Sequence, residues 1–507
     1  MEINSICIVG GGSSGWMTAA LLSKEFPKKK ITLVESPDIP TMGVGESTLG
    51  YFNHYLHLLG LKDTDWMSKC DATYKTSIGF KNFREGKGER FQYPFGYWDH
   101  IAEGHTTFFK LQKLYGEDVY PAEEFARFCN KNTFLAEECK ICDEIPFTSF
   151  SFEYDLAYQL NASKLGVYLR DYIAVPNGVR HIREHVNQIV RKEGFVESII
   201  TDHHAIVADL FIDCTGFKSL LLDSEFISFK DQLFNDKAIV TRIPYTDKET
   251  QMKTYTDCVG MNSGWAWNIP LWNEMSKGYV YSSRFISDED AEKEFREHLN
   301  GYDGEFRHIE IKHGKHKEAW VNNVVAIGLS YGFVEPLEST GLLTTHENLL
   351  LLGRMLLDKS KINKSDISKF NKKVDTRTED FKNFTIWHYF LSSRDDTPYW
   401  RAYKDVKIKG IVDHMERNSN VLSTNNMGKD AMKNAGLVYI AGGMNCKPKD
   451  INLDMPNVFI NGEQKSEDYL QILHSRYLME KQSVLEWLKD QPSHYQYLKD
   501  NIYSSNK

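Results

Sequence analysis

A chain of 507 residues with 61 Lys and Arg against 70 Asp and Glu carries a net charge of −9, and it has no long basic run beyond Lys28-Lys29-Lys30. That balance argues against a nucleic-acid partner, and no uncharged apolar run approaches the ~18 residues that a membrane-spanning helix needs. Eight cysteines scattered from Cys7 to Cys446 form no disulfide framework and suit a reducing, cytoplasmic setting.

In chain order, residues 5–9 read as a short apolar strand, 14–26 as a helix and 31–34 as a second strand followed by Glu35, a βαβ opening. This strand starts so near Met1 that it leaves no room for a signal peptide. Residues 51–61 have helical spacing. Residues 72–80 alternate, which predicts one strand with Ala72, Tyr74, Thr76, Ile78 and Phe80 on one face and Thr73, Lys75, Ser77 and Gly79 on the other. The aromatic-rich stretch 86–150 predicts loops and short helices. A helix follows at 162–173, then apolar stretches at 186–190 and 205–212, the latter ending in Asp213-Cys214-Thr215-Gly216 as a strand returning to the first sheet. Residues 238–286 predict a second sheet, and 324–327 return once more. Beyond about 360 the chain is helical, with 418–434 as the expected connector. Cys139 and Cys142 form a lone CxxC, and His313 and His316 a lone pair in a charged loop; neither is read as a metal site, and no metal is expected.

Gly10, Gly12 and Gly15 satisfy GxGxxG between a strand and a helix, with Ser13 and Ser14 in the same turn and Glu35 placed 20 residues beyond Gly15 to grip a ribose hydroxyl. The acid favours FAD or NAD over NADP. A single fingerprint makes a built-in reductase domain improbable. Gly43-Val44-Gly45-Glu46-Ser47-Thr48 supplies a second glycine-rich loop, whose Ser47 is also a good helix N-cap. Glu335 to Leu342 places a carboxylate and small polar residues just ahead of the apolar stretch 342–357, so a helix N-terminus meets a potential acid or base. Taken alone, Lys75 reads as a surface residue, Glu338 as a helix-terminal carboxylate, and Trp265 and Trp267 as core.

Pro336 to Gly341 (PLESTG) and Gly264 to Pro270 (GWxWxIP), together with the fingerprint, resemble the flavin-dependent halogenases of the tryptophan-halogenase family over roughly residues 1–405. The resemblance implies an α/β fold: an FAD-binding doubly wound, Rossmann-like core, a second β-sheet and a mostly helical C-terminal substrate cap. In sequence blocks these are the core at 1–85, 161–220 and 321–360, a substrate-side insertion at 86–160, the second sheet at 221–320 and the cap at 361–507. It further implies FADH2 from a separate flavin reductase, O2, and chloride, bromide or iodide. A flavin hydroperoxide would yield hypohalous acid, which reaches Lys75 and halogenates an electron-rich phenol, indole or pyrrole with Glu338 as partner. By the same resemblance Val44, Glu46, Ser47, Leu329 and Leu342 contact the flavin, Val186 flanks the adenine of the cofactor, Thr340 and Gly341 hold halide, Phe95 stacks on substrate, and Trp265 and Trp267 separate flavin from substrate.

Trp387-His388-Tyr389 and Asp396 to Arg401 match further family segments. Two departures are visible. Gly328-Leu329 lacks the acid that single-component hydroxylases carry, which suits a loosely held flavin. Leu437 to Gly443 stands where tryptophan halogenases carry an acidic, paired-tyrosine stretch that holds the amino acid. An FAD-dependent aromatic monooxygenase and a non-catalytic flavin-binding redox sensor are the alternatives, and the oligomeric state is open.

Overall fold

A computed structural model describes residues 1–39, 45–96, 105–144, 146, 150–359, 361–406, 431–448, 451–453, 459–460, 463–464 and 466–504. Val44 lies outside them, as does the 418–434 connector except for 431–434, which open a helix running to Gly443. No helix among the described residues is long and apolar enough to cross a membrane.

The first sheet has six strands in the order Trp320–Val321, Val324–Ala326, Leu210–Asp213, Ser5–Val9, Lys30–Glu35 and Arg180–Arg183. All neighbours are parallel except the edge strand Trp320–Val321. A parallel sheet needs both faces covered, which explains the continuous apolar runs at Ile6 to Val9 and Leu210 to Ile212. The helix Ser13–Glu25 buries Trp16, Met17, Ala19, Ala20, Leu21 and Leu22. Its entry turn requires glycine at two places. Gly10 sits at φ 111°, and a Cβ on Gly15 would lie 1.8 Å from the carbonyl oxygen of Gly10. Gly12 differs, since a Cβ there meets nothing within 4 Å.

The second sheet has seven strands: Arg307–Glu310, Lys237–Pro244, Glu274–Tyr281, Gly264–Pro270, Tyr255–Gly260, Ser77–Lys81 and Arg90–Pro94. The predicted single strand over 72–80 is two strands in different sheets. Thr73–Lys75 pairs with Ala157–Asn161, which also pairs with Gly45–Ser47; Ser77–Lys81 joins the seven-stranded sheet. The chain changes sheets at Thr76, whose N–H donates to the Thr254 carbonyl at 2.7 Å. Alternation persists through the change, so the sequence carried no mark of it. Val186–Lys192, Phe195–Thr201 and Ala205–Ile206 form a separate antiparallel sheet.

Two main apolar cores result. One surrounds the parallel sheet; the other gathers Phe80, Phe91, Phe95, Trp265, Trp387, Trp400 and the helix Ala431–Gly443. The strand Thr73–Lys75 runs between them. His313 sits in the connection 311–313, just before the strand Gly314–His316, yet it is buried beside Phe333, and burial pushes its imidazole down to about 3. The C-terminal residues turn back from the second core to the first, where Leu498 and Ile502 are buried.

The glycine geometry predicts a contrast between two alanine substitutions. Gly15→Ala forces a methyl into backbone and is expected to destabilise the protein by about 1–3 kcal/mol, whereas Gly12→Ala, facing open space, stays within about 0.5 kcal/mol of wild type. Urea unfolding of the two variants checks this, and equal effects would contradict it.

Candidate active site

At the glycine turn, the helix Ser13–Glu25 begins without a side-chain cap and without an acid in its first turn. Its first N–H groups and the positive end of its dipole therefore face the open side of Gly12. Glu35 ends the second strand, where its carboxylate oxygen lies 2.7 Å from His181 Nε2. Its other oxygen sits over Gly11, so close that a Cβ there would be 1.6 Å away. Ser14 Oγ meets Thr345 Oγ1 at 3.4 Å, which joins the turn to the helix Thr340–Asp358. Gly328, next to Leu329, packs against the same Ser14 side chain. Ser13, whose Oγ donates to the Ala162 carbonyl, and Val186, half-buried in its own antiparallel sheet, lie on the flanks.

Lys75 is the centre of a second cluster. It is fully buried, against the surface reading that its sequence position alone would give. Its Nζ donates to Ser339 Oγ at 2.5 Å, to the Thr48 carbonyl at 3.0 Å and to Ser47 Oγ at 3.5 Å. Nζ also lies 5.2 Å from the centre of the Phe95 ring. Burial pulls the amine down from 10.5 to about 7, although Glu338 and Cys258 act in the opposite direction. Ser47 Oγ and Ser339 Oγ are 2.7 Å apart. Ser47 therefore serves this cluster and caps no helix, since the next one begins at Phe52. Ser339 is held at φ 59°, a left-handed conformation that costs a non-glycine residue about 1–3 kcal/mol. That strain points its hydroxyl at Lys75.

The helix Thr340–Asp358 starts directly after Ser339, again with no side-chain cap and no acid in its first turn. Thr340 Oγ1 is buried and has no partner among the described residues. Glu46 lies against this terminus: its Oε2 is 3.3 Å from the position of a Cβ on Gly341, and burial raises its carboxyl to about 7. Leu342 is buried in the following turn.

Glu338, adjacent to Ser339, is buried; its Oε1 lies 2.6 Å from His388 Nε2, and its Oε2 has no partner among the described residues. Trp265 and Trp267 share a strand face with ring centres 6.0 Å apart. Trp265 Nε1 donates to Glu335 Oε2 at 2.9 Å, and that carboxylate also accepts from Asn235 Nδ2 at 2.6 Å and Tyr389 OH at 3.1 Å. Burial raises the Glu335 carboxyl, while these three donors pull it back.

The structure thus gathers Lys75, Glu338, Ser47, Thr340, Gly341 and Phe95 around one region, and Gly10, Gly12, Ser14, Gly15, Glu35 and Leu329 around another. The helix Thr340–Asp358 links the two. Ser339, Glu335 and His388 carry no assigned role in the sequence reading. The first two lie inside the Glu335 to Leu342 segment and His388 inside Trp387-His388-Tyr389, but their partners are set by tertiary contacts.

A family model described as tryptophan halogenase matches residues 5–453, which extends the likeness past residue 405, where the sequence resemblance was placed. The chain is 34% identical over 435 residues, 80% of each chain, to tryptophan 7-halogenase RebH of Lentzea aerocolonigenes. It superposes on the VirX1 apo structure with a TM-score of 0.91 at 44% identity, covering 99% of this chain and 100% of that one. Xcc4156, a flavin-dependent halogenase from Xanthomonas campestris, matches with a TM-score of 0.84 at 25% identity and 99% coverage of both chains.

Lys75 also makes stability depend on pH. Between about 7, its folded value, and 10.5, its ordinary value, the unfolded chain holds one more proton at this residue than the folded one. Wild-type stability therefore gains up to about 1.4 kcal/mol per pH unit from Lys75 as pH rises through that window, and gains nothing from it below. Lys75→Met lacks the term. The difference in unfolding free energy, Lys75→Met minus wild type, is expected to fall steadily from pH 7 to 9 in urea titrations; a flat difference would show that Lys75 keeps its ordinary affinity for the proton.

Proposed function

The chain belongs to the tryptophan halogenase family, and from that premise we propose that it halogenates an electron-rich aromatic ring, indole-type above all, at Lys75 and Glu338. Membership makes it a flavin-dependent halogenase, which implies FAD and a halide. The observation that carries the site assignment is the buried Lys75 amine, bonded to the residue that follows Glu338 in the chain.

The residues fit both groups. Gly10, Gly12, Ser13, Ser14 and Gly15 would hold the FAD pyrophosphate on the uncapped helix end, with the open space at Gly12 leaving room for it and Glu35 turned to the ribose. Val186, Glu46, Leu329 and Leu342 would complete that site, with Val44. Thr340 and Gly341 would hold halide at the second uncapped helix end, where Thr340 Oγ1 has no partner among the described residues. When bound as FADH2, supplied by a separate flavin reductase, the cofactor with O2 and halide provides electrophilic halogen as hypohalous acid.

The chain's own side chains do the rest. Lys75, drawn toward neutrality by burial, can bind that electrophile through its amine or donate hydrogen bonds to it. Ser339 and the Thr48 carbonyl fix where it points. Glu338 takes the proton from the substituted ring carbon, and Phe95 offers a stacking surface beside Nζ. Trp265, anchored by Glu335, and Trp267 would stand between cofactor and substrate, so that the oxidant would have to travel.

Two measurements test this reading. Lys75→Ala is expected to oxidise FADH2 at the wild-type rate while halogenated product falls below about 1% of wild type; halogenation at the wild-type rate would move the site elsewhere.

The second concerns the substrate. The names of curated relatives point to tryptophan. Leu437 to Gly443, however, forms part of a helix packed on Tyr93 and Phe125 rather than a charged clamp. Recognition by stacking and apolar burial discriminates weakly between ring substituents, so kcat/KM for tryptophan is expected within about 100-fold of that for simple indoles. A larger preference would reveal an amino-acid site.

A further inference from the structure

His388 is fully buried on the helix Lys364–Phe390, boxed by the rings of Phe80 and Phe384, each 5.1 Å away. Its Nδ1 lies 2.9 Å from the Phe384 carbonyl oxygen. A carbonyl can only accept, so Nδ1 must carry a hydrogen. The other nitrogen, Nε2, lies 2.6 Å from Glu338 Oε1. Two bare lone pairs do not approach so closely, so one proton sits between Glu338 and His388, either on the carboxyl or on the imidazole.

The arrangement leaves Glu338 with unequal oxygens. Oε1 is committed to His388, while Oε2 is buried and without a partner among the described residues. An unpartnered buried carboxylate oxygen is costly and calls for a ligand. The other titratable groups felt here are Lys75, Tyr93 and Cys258 on the Glu338 side and Glu335 on the His388 side. Of these Lys75 is the one with a cationic form, and its three hydrogen-bond acceptors are Ser339, Thr48 and Ser47 rather than Glu338.

We propose that His388 is the positioning residue for ring deprotonation: it grips Glu338 by Oε1 and keeps the shared proton on its own Nε2, so that Oε2 stands as the anionic oxygen facing the substrate. This rests on the reading of Glu338 as the base. In the step, the C–H bond at the halogenated carbon breaks, its electron pair returns to the ring, and the proton forms an O–H bond at Glu338 Oε2. Without His388 nothing among the described residues holds Oε1, and Oε2 is no longer fixed toward the ring.

The test uses the full-length enzyme with reduced FAD, bromide and indole, either protiated or deuterated at its ring carbons. His388→Phe is expected to lower kcat for product about 10- to 100-fold, with KM within twofold and FADH2 oxidation unchanged. The isotope effect on product formation is expected to rise from near 1 to above about 2, because proton removal becomes the slow step. His388→Gln, whose amide can donate to the same carboxylate oxygen, is expected to recover most of the rate. Wild-type kcat and isotope effect in His388→Phe would overturn the proposal. So would a loss that His388→Gln shares in full with an isotope effect still near 1, since that pattern marks a merely structural residue. Glu338→Gln separates the two levels: if it halogenates at the wild-type rate, the base assignment itself fails, whereas an inactive Glu338→Gln beside fully active His388 variants removes only the role of His388.

Discussion

Placing an amine where no water reaches is the constraint around which the rest of this molecule is arranged. Unpaired, a buried ammonium costs several kcal/mol, so its neighbours must satisfy it. Lys75 finds a backbone carbonyl and two hydroxyls, each from a segment that must be held in place. Thr48 and Ser47 come from the end of a short strand whose partner strand also pairs with that of Lys75. Ser339 comes from a left-handed residue at the start of a long helix. Through that helix the amine is coupled to the glycine turn, because Thr345 and Ser14 touch. The two regions are thus parts of one frame.

A second buried charge is handled in another way. Glu335 makes no ion pair among the described residues; an indole, an amide and a phenol supply its hydrogen bonds. Neutral donors satisfy a carboxylate without requiring a second desolvated ion, and they fix its orientation. The Trp265 ring is fixed along with it. Trp267 gains its place differently, by lying against Gly278 on the neighbouring strand, where any side chain would collide with its ring. One tryptophan is anchored by a polar contact and the other by a missing side chain.

Much of this was legible in the sequence, and what was not has physical causes. The βαβ opening shows itself because parallel strands and glycine turns leave local marks, and the GWxWxIP strand appears where expected; the stretch 205–212 divides, Ala205–Ile206 joining the antiparallel sheet and only Leu210–Asp213 returning to the parallel one. The 72–80 stretch misled because alternation looks the same whether a chain continues in one sheet or passes to the next, and the change at Thr76 depends on Thr254, far along the chain. Ser47 reads locally as a cap, but its hydroxyl is claimed by Ser339, 292 residues away. His388 gives no local sign of its role. Its partner Glu338 lies 50 residues before it, and a histidine on an amphipathic helix ordinarily belongs to the core.

One contact at the far end of the chain bears on how the protein comes into being. The N–H of Tyr74, next to Lys75, donates to Nε2 of His494, 420 residues further on, and the His494 ring is buried and held neutral, with burial pulling it down to about 4. Tyr503 reaches the same neighbourhood through the Ala72 carbonyl. A growing chain on the ribosome therefore exposes the lysine-bearing strand long before the residues that cover it exist. Until they arrive, an unpaired backbone donor and an apolar seam face solvent or a chaperone. The N-terminal βαβ unit can form early from nearby strands, but the surroundings of Lys75 are closed by one of the longest-range contacts among the described residues, and such contacts form slowly. Synthesis itself thus delays the enclosure of the Lys75 strand until His494 and Tyr503 have been made.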